Sequence, residues 1–143
     1  MREKRIDIEG LGYVGLVTVA CFSYKGSHFT CIGADREKLD SLKSGKVPVY
    51  EPHLGGYLSE GIASNGMVLT HEAENVLTNS DTACITVGTP SAPGGSADLG
   101  HPSSAACSAG LALMQHEKHP VFVVKSTVPL GTTEGIKRHD RLR

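Results

Sequence analysis

Gly10, Gly12 and Gly15 stand in G-x-G-x-x-G spacing within Gly10-Leu11-Gly12-Tyr13-Val14-Gly15, directly after a short apolar-patterned stretch and directly before a helical one. Each glycine has a physical task in holding a dinucleotide: the first allows the tight turn, the second lets the backbone approach a pyrophosphate, and the third lets helix and strand pack closely. The helix that follows turns its unpaired N–H groups and the positive end of its dipole toward an anion. In a chain with 17 glycines the hexapeptide alone is weak, so its context decides. Thr89 and Thr127 bring hydroxyls in the stretches Gly88-Thr89-Pro90 and Ser126-Thr127-Val128. A hydroxyl on a strand-end loop can donate or accept without a charge to desolvate. It can equally cap its own loop. Cys21, Cys31, Cys84 and Cys107 are widely separated, and three of them fall in stretches that read as buried strand or helix, where Cys acts as a small hydrophobe. His116 and His119 could share a helix face, but no Cys or Glu is placed to complete a metal tetrahedron.

The elements that must position these residues alternate. Arg5 to Glu9 reads as a first strand, with Ile6 and Ile8 on one face and Asp7 and Glu9 on the other. A central strand covered on both faces should be apolar throughout, so the two carboxylates require partners, raised pKa values or an uncovered face. Leu16, Val17, Ala20, Cys21 and Tyr24 recur at helical spacing, and Lys25-Gly26-Ser27 supplies the stop. A second strand runs from Phe29 to Ala34, and a helix follows Asp35 as far as Ser44-Gly45. The prolines of Val47-Pro48-Val49-Tyr50-Glu51-Pro52 require an extended segment, in which Glu51 is given an ordering role. Beyond it the pattern predicts a helix at 54–63, a strand at 67–70, a short helix at 72–78 and a buried strand at 82–87. The loop 88–96 then leads to a helix with Pro102 in its first turn, a β-branched strand at 121–125, and a last helix from Gly131 that runs into a basic end. Strand and helix in alternation with short connections predict an α/β doubly wound, mostly parallel sheet with helices on both faces. Ligands of such sheets lie at the carboxyl ends of the strands, which puts Thr89 on the rim of the glycine turn.

Composition narrows the class. The 143 residues suit one domain, and a net charge of -1 argues against general affinity for nucleic acid or acidic membranes. No apolar run is long enough to span a bilayer, which leads to an expectation of a cytoplasmic protein.

Five separated stretches, 10–15, 48–52, 87–91, 96–99 and 125–132, fall in the order and near the spacing of one family. Together they resemble the N-terminal NAD-binding domain of the UDP-glucose/GDP-mannose dehydrogenases, a Rossmann-type domain, over essentially the whole chain. The family's enzymes oxidise the C6 alcohol of a nucleotide sugar to a carboxylate with two NAD, by way of an aldehyde and a cysteine-bound thioester. Position by position, the resemblance implies that Gly10, Gly12, Tyr13, Val14 and Gly15 carry the NAD pyrophosphate, and that Lys38 lies near the adenosine ribose. It implies that Thr89 contacts NAD, and that Thr127 touches the cofactor and helps hold the water or substrate oxygen, a catalytic role.

Two positions depart from the pattern. Gly33 occupies the place of the family's acidic ribose ligand. Asp35, two residues later and twenty past Gly15, is the candidate replacement, with a helix N-cap role equally open. If Gly33 is the equivalent position, Gly33→Asp should tighten NAD. Glu9 stands before the first glycine where the family is apolar, and a carboxylate there repels a pyrophosphate unless protonated or turned away.

The family's catalytic cysteine, lysine and sugar-binding region have no counterpart in residues 1–143, and none of the four cysteines stands in a matching motif. The resemblance thus implies one NAD(P)-binding domain, inactive alone, whose nucleotide sugar is UDP-glucose first and GDP-mannose second. An isolated domain of this kind is expected to expose apolar surface and self-associate. A non-catalytic dinucleotide-binding or interaction module is the alternative. An unrelated protein with a Rossmann-type glycine turn, such as a methyltransferase, leaves 50–52 and 125–132 unexplained.

Overall fold

A computed structural model describes residues 4–114 and 120–140. His116 and His119, noted above, lie outside them, as do Arg141 and Arg143 of the basic end. Five strands form one sheet, β1 (Ile6–Glu9), β2 (Phe29–Ile32), β3 (Met67–Thr70), β4 (Thr82–Ile85) and β5 (Val121–Val124). The helices are α1 (Tyr13–Tyr24), α2 (Arg36–Lys43), α3 (Leu54–Ala63), α4 (Glu74–Leu77), α5 (Gly100–Leu113) and α6 (Thr132–Asp140). The sheet order is β3-β2-β1-β4-β5 and every pairing is parallel. The chain therefore steps outward from β1 to β3 on one side and then crosses to β4 on the other. This reversal beside β1 is where an open α/β sheet forms its ligand crevice.

Register sorts the side chains. Ile8 pairs with Cys31 and Cys84, so these three share a face. That face packs with Leu16, Val19 and Ala20 of α1, Leu39 and Leu42 of α2, and Leu54 and Leu58 of α3. On the other face a smaller core joins Ile32, Leu77, Ala83 and Ala109 under α4 and α5. Asp7 shares that second face with Thr30 and Ala83 and is buried at the centre of the sheet. Glu9, one turn of the pleat further, is half-buried at the end of β1.

The expected elements recur with trimmed ends. Three strands stop short of their expected ends: β2 at Ile32 rather than Ala34, β4 at Ile85 rather than Val87, and β5 at Val124 rather than Lys125. Just past each of these ends one more N–H still donates to the neighbouring strand: Gly33 to the Thr70 carbonyl, Thr86 to that of Glu9 and Lys125 to that of Ile85. The buried stripe of α1 is Gly15, Leu16, Val19 and Ala20, which corrects the placing of Cys21 and Tyr24 on it. Cys21 follows Ala20 and is turned about 100° off the stripe, so it is exposed. Tyr24 instead lies against Tyr57 of α3, ring centres 4.5 Å apart. Among the cysteines only Cys31 is buried, Cys84 is half-buried, and Cys107 is exposed on α5. No helix of the described residues is long and apolar enough to cross a membrane.

Candidate cofactor-binding site

At the carboxyl end of β1 the three glycines answer to different constraints. Gly10 has φ +103°, and a Cβ on it would meet the backbone of Val87 at 2.8 Å. A Cβ on Gly15 would lie 2.0 Å from the Gly10 carbonyl oxygen and 2.7 Å from Thr86 Oγ1. Both positions are closed to any other residue by the protein itself. Gly12 is the opposite case: nothing lies within 4 Å of where its Cβ would be. It is also the N-cap of α1, in an extended conformation, with no side chain capping the helix start. The start of α1 thus has no side-chain cap and adjoins a glycine with open space about it, an arrangement that suits an anionic group.

The neighbouring strand ends converge on this turn because all five strands run parallel. Thr86, just past β4, is buried, and its hydroxyl lies 2.6 Å from the Gly10 carbonyl and 3.1 Å from that of Glu9. Its own N–H donates to the Glu9 carbonyl at 2.8 Å. Thr89 Oγ1 donates to the Thr127 carbonyl at 2.9 Å, and Ser126 Oγ donates to the Val87 carbonyl at 2.7 Å. The loops after β4 and β5 are thereby tied to each other, and the first of them to the glycine turn. Tyr13 donates its phenol proton to Glu51 Oε1, fixing the proline-rich segment beside the start of α1. That bond raises the Tyr13 pKa, because the neighbouring carboxylate favours the protonated phenol.

The sequence profile of the NAD-binding domain of the UDP-glucose/GDP-mannose dehydrogenase family matches residues 4–141. The chain belongs to this family. It is 38% identical to the UDP-glucose 6-dehydrogenase of Pseudomonas aeruginosa over 138 residues, 96% of this chain and 30% of that enzyme. Over 132 residues it is 34% identical to the GDP-mannose 6-dehydrogenase of the same organism, covering 92% and 30%. In structure it is similar to a UDP-glucose dehydrogenase from the archaeon Pyrobaculum islandicum, with a TM-score of 0.89, 34% identity, and coverage of 97% of this chain and 32% of that one. The chain spans about 30% of the length of these two Pseudomonas relatives, the family's NAD-binding domain.

The residues singled out for NAD divide by location. Gly10, Gly12, Tyr13, Val14 and Gly15 form the turn and the first turn of α1. Thr89 and Thr127 meet on the same rim, through the Thr89 hydroxyl and the Thr127 backbone; the Thr127 residue itself is exposed. Gly33 follows β2, its N–H donating to the Thr70 carbonyl at 3.0 Å. A Cβ there would meet Leu11 Cδ1 and Leu39 Cδ2, each at 3.1 Å. Asp35 is the N-cap of α2: its carboxylate accepts from the Lys38 N–H at 3.1 Å. Only Oδ1 is used in that bond, and the residue is exposed.

Glu9 is the unfavourable neighbour. Burial raises its carboxyl pKa, so it is more easily protonated than an exposed glutamate, which lessens its repulsion of an anion. Two of the cysteines are made poorer nucleophiles by their surroundings. Burial, reinforced by the Asp7 carboxylate, drives the Cys31 thiol far up, and burial also raises Cys84, which Lys125 lowers in part. A cleft of about 420 Å³ lined by Arg5, Asp7, His28, Asn65 and Asn79 lies at the amino ends of the strands, remote from the glycine turn.

Sequence reasoning missed Thr86 and Ser126. Both read as ordinary residues at the ends of β-branched strands, and only the pairing of β1 with β4 and of β4 with β5 reveals what their hydroxyls reach.

Proposed function

We propose that the chain holds NAD for a nucleotide-sugar 6-dehydrogenase. The observation that carries this reading is the open space at Gly12 before an uncapped helix, with Gly10 and Gly15 sealed by their own surroundings. Bound NAD supplies the hydride acceptor for oxidation at C6 of the sugar. The chain's residues bind and orient it. Gly10 to Gly15 receive the pyrophosphate through backbone N–H groups, and Lys38 lies toward the adenosine ribose. Asp35 uses one carboxylate oxygen on the α2 cap and offers the other to the ribose hydroxyls. Thr89 contacts the cofactor, and Thr127 holds the water or substrate oxygen near the reacting carbon.

The nucleotide sugar is UDP-glucose, or GDP-mannose second, taken to the carboxylate with two NAD. Residues outside these 143 supply its sugar contacts and cysteine chemistry, so the isolated chain binds cofactor without turnover. The test is thermal unfolding of the chain with and without NAD, beside an assay of NADH formation from UDP-glucose. NAD should raise the unfolding temperature while no NADH forms. An unfolding temperature indifferent to NAD contradicts the reading, and NADH formation contradicts the inactivity of the isolated chain.

Half-buried Glu9 beside the first glycine and Gly33 after β2 favour one second reading, a non-catalytic dinucleotide-binding module with relaxed affinity.

A further inference from the structure

The geometry points to Thr86 as a positioning residue for the NAD turn, a hydroxyl strut between β4 and the first glycine without which the turn is not preorganised. The inference rests on the reading that Gly10 to Gly15 hold NAD. Thr86 Oγ1 lies 2.6 Å from the Gly10 carbonyl and 3.1 Å from the Glu9 carbonyl, and the Thr86 residue is buried. The same oxygen stands 2.7 Å from where a Gly15 Cβ would be. One hydroxyl therefore touches the entry of the turn and faces the glycine that brings α1 in.

The consequence for binding follows from the peptide plane. In a trans peptide the C=O and the next N–H point in opposite directions, so fixing the Gly10 carbonyl toward Thr86 fixes the Leu11 N–H on the other side of the turn. Gly10 has φ +103°, a conformation that favours glycine, and its N–H is held by the Ile32 carbonyl at 3.0 Å, so Thr86 restrains the carbonyl half of the same residue. Binding to a turn that must first be ordered loses affinity to that ordering. Thr86 is also three residues before Thr89, so the strut and the NAD-contacting loop are carried by one short backbone segment.

The variants Thr86→Ser, Thr86→Ala and Thr86→Val, each titrated with NAD in the full chain at a temperature where it is folded, separate donation from packing. Serine keeps the donor, alanine removes it and leaves slack, and valine puts a carbon where the oxygen sits against the Gly10 carbonyl. The expected NAD affinities run serine above alanine above valine, with serine within about twofold of the parent and alanine about tenfold weaker. In the free protein, the amide NMR resonances of 10–15 should shift and broaden in Thr86→Ala but not in Thr86→Ser. Equal affinity of Thr86→Ala and parent, or serine falling as far as alanine, overturns the inference; serine and alanine alone decide it if valine does not fold. A parent chain that does not bind NAD at all removes the underlying reading and this inference with it.

Discussion

Gly12 and Gly15 belong to one motif, yet their substitution by alanine should have opposite signatures. Gly15→Ala drives a methyl into the Gly10 carbonyl and should destabilise the fold by about 2 to 3 kcal/mol in denaturant unfolding. Gly12→Ala meets open space and should cost no more than about 1 kcal/mol, chiefly as a poorer N-cap, while weakening NAD because the methyl occupies the cradle. Glu9 carries a pH signature. Its folded pKa lies above its unfolded value, so ionisation opposes folding above that range and the penalty disappears as the pH falls below about 4. Glu9→Gln should therefore be more stable than the parent at neutral pH, with the difference closing on acidification. NAD should also bind more tightly to Glu9→Gln at neutral pH. A gap that is constant with pH would mean that the carboxyl charge is not the cause.

At the scale of elements, α2 hangs on its cap. Asp35→Ala removes the acceptor of the Lys38 N–H and should cost about 1 kcal/mol, whereas Asp35→Asn keeps an acceptor and most of the stability. In the proposed dual role Asp35→Asn nevertheless weakens NAD about tenfold, since a ribose hydroxyl bonds an amide less strongly than a carboxylate. The alternation that builds this architecture was legible because glycine and proline punctuate it: Gly26, Gly45 and the prolines 48 and 52 bound their segments, and α3 and β3 have the bounds that the pattern predicts. The face of α1 was less legible, since Val17, Val19, Ala20 and Cys21 are all apolar and a short helix offers several stripes of similar width. Packing against β1 and α3 selected the one through Gly15, whose missing side chain lets the helix approach. At the site, spacing marked Gly10, Gly12 and Gly15 as a turn, and the family resemblance added Tyr13 and Val14. Thr86 and the Tyr13–Glu51 bond could not be marked in this way, because both join segments far apart in sequence.

At the scale of the molecule, β5 is an edge strand, and Val121, Phe122 and Val123 are exposed at 65%, 39% and 39%. Leu130 and Met114 are exposed as well. An apolar edge strand of this kind is a template for pairing with another chain, and self-association is the expectation to be tested. Sedimentation of the isolated chain should show concentration-dependent association, reduced by Val123→Lys; a monomer at all concentrations would contradict this.

The central claim, that the turn at Gly10 to Gly15 holds NAD, is met most directly by calorimetric titration of the 143-residue chain with NAD. Saturable binding to the parent, lost or strongly weakened in a folded Gly12→Ala, is the expected result. No heat from the folded parent at millimolar NAD, or equal binding by Gly12→Ala, would contradict it.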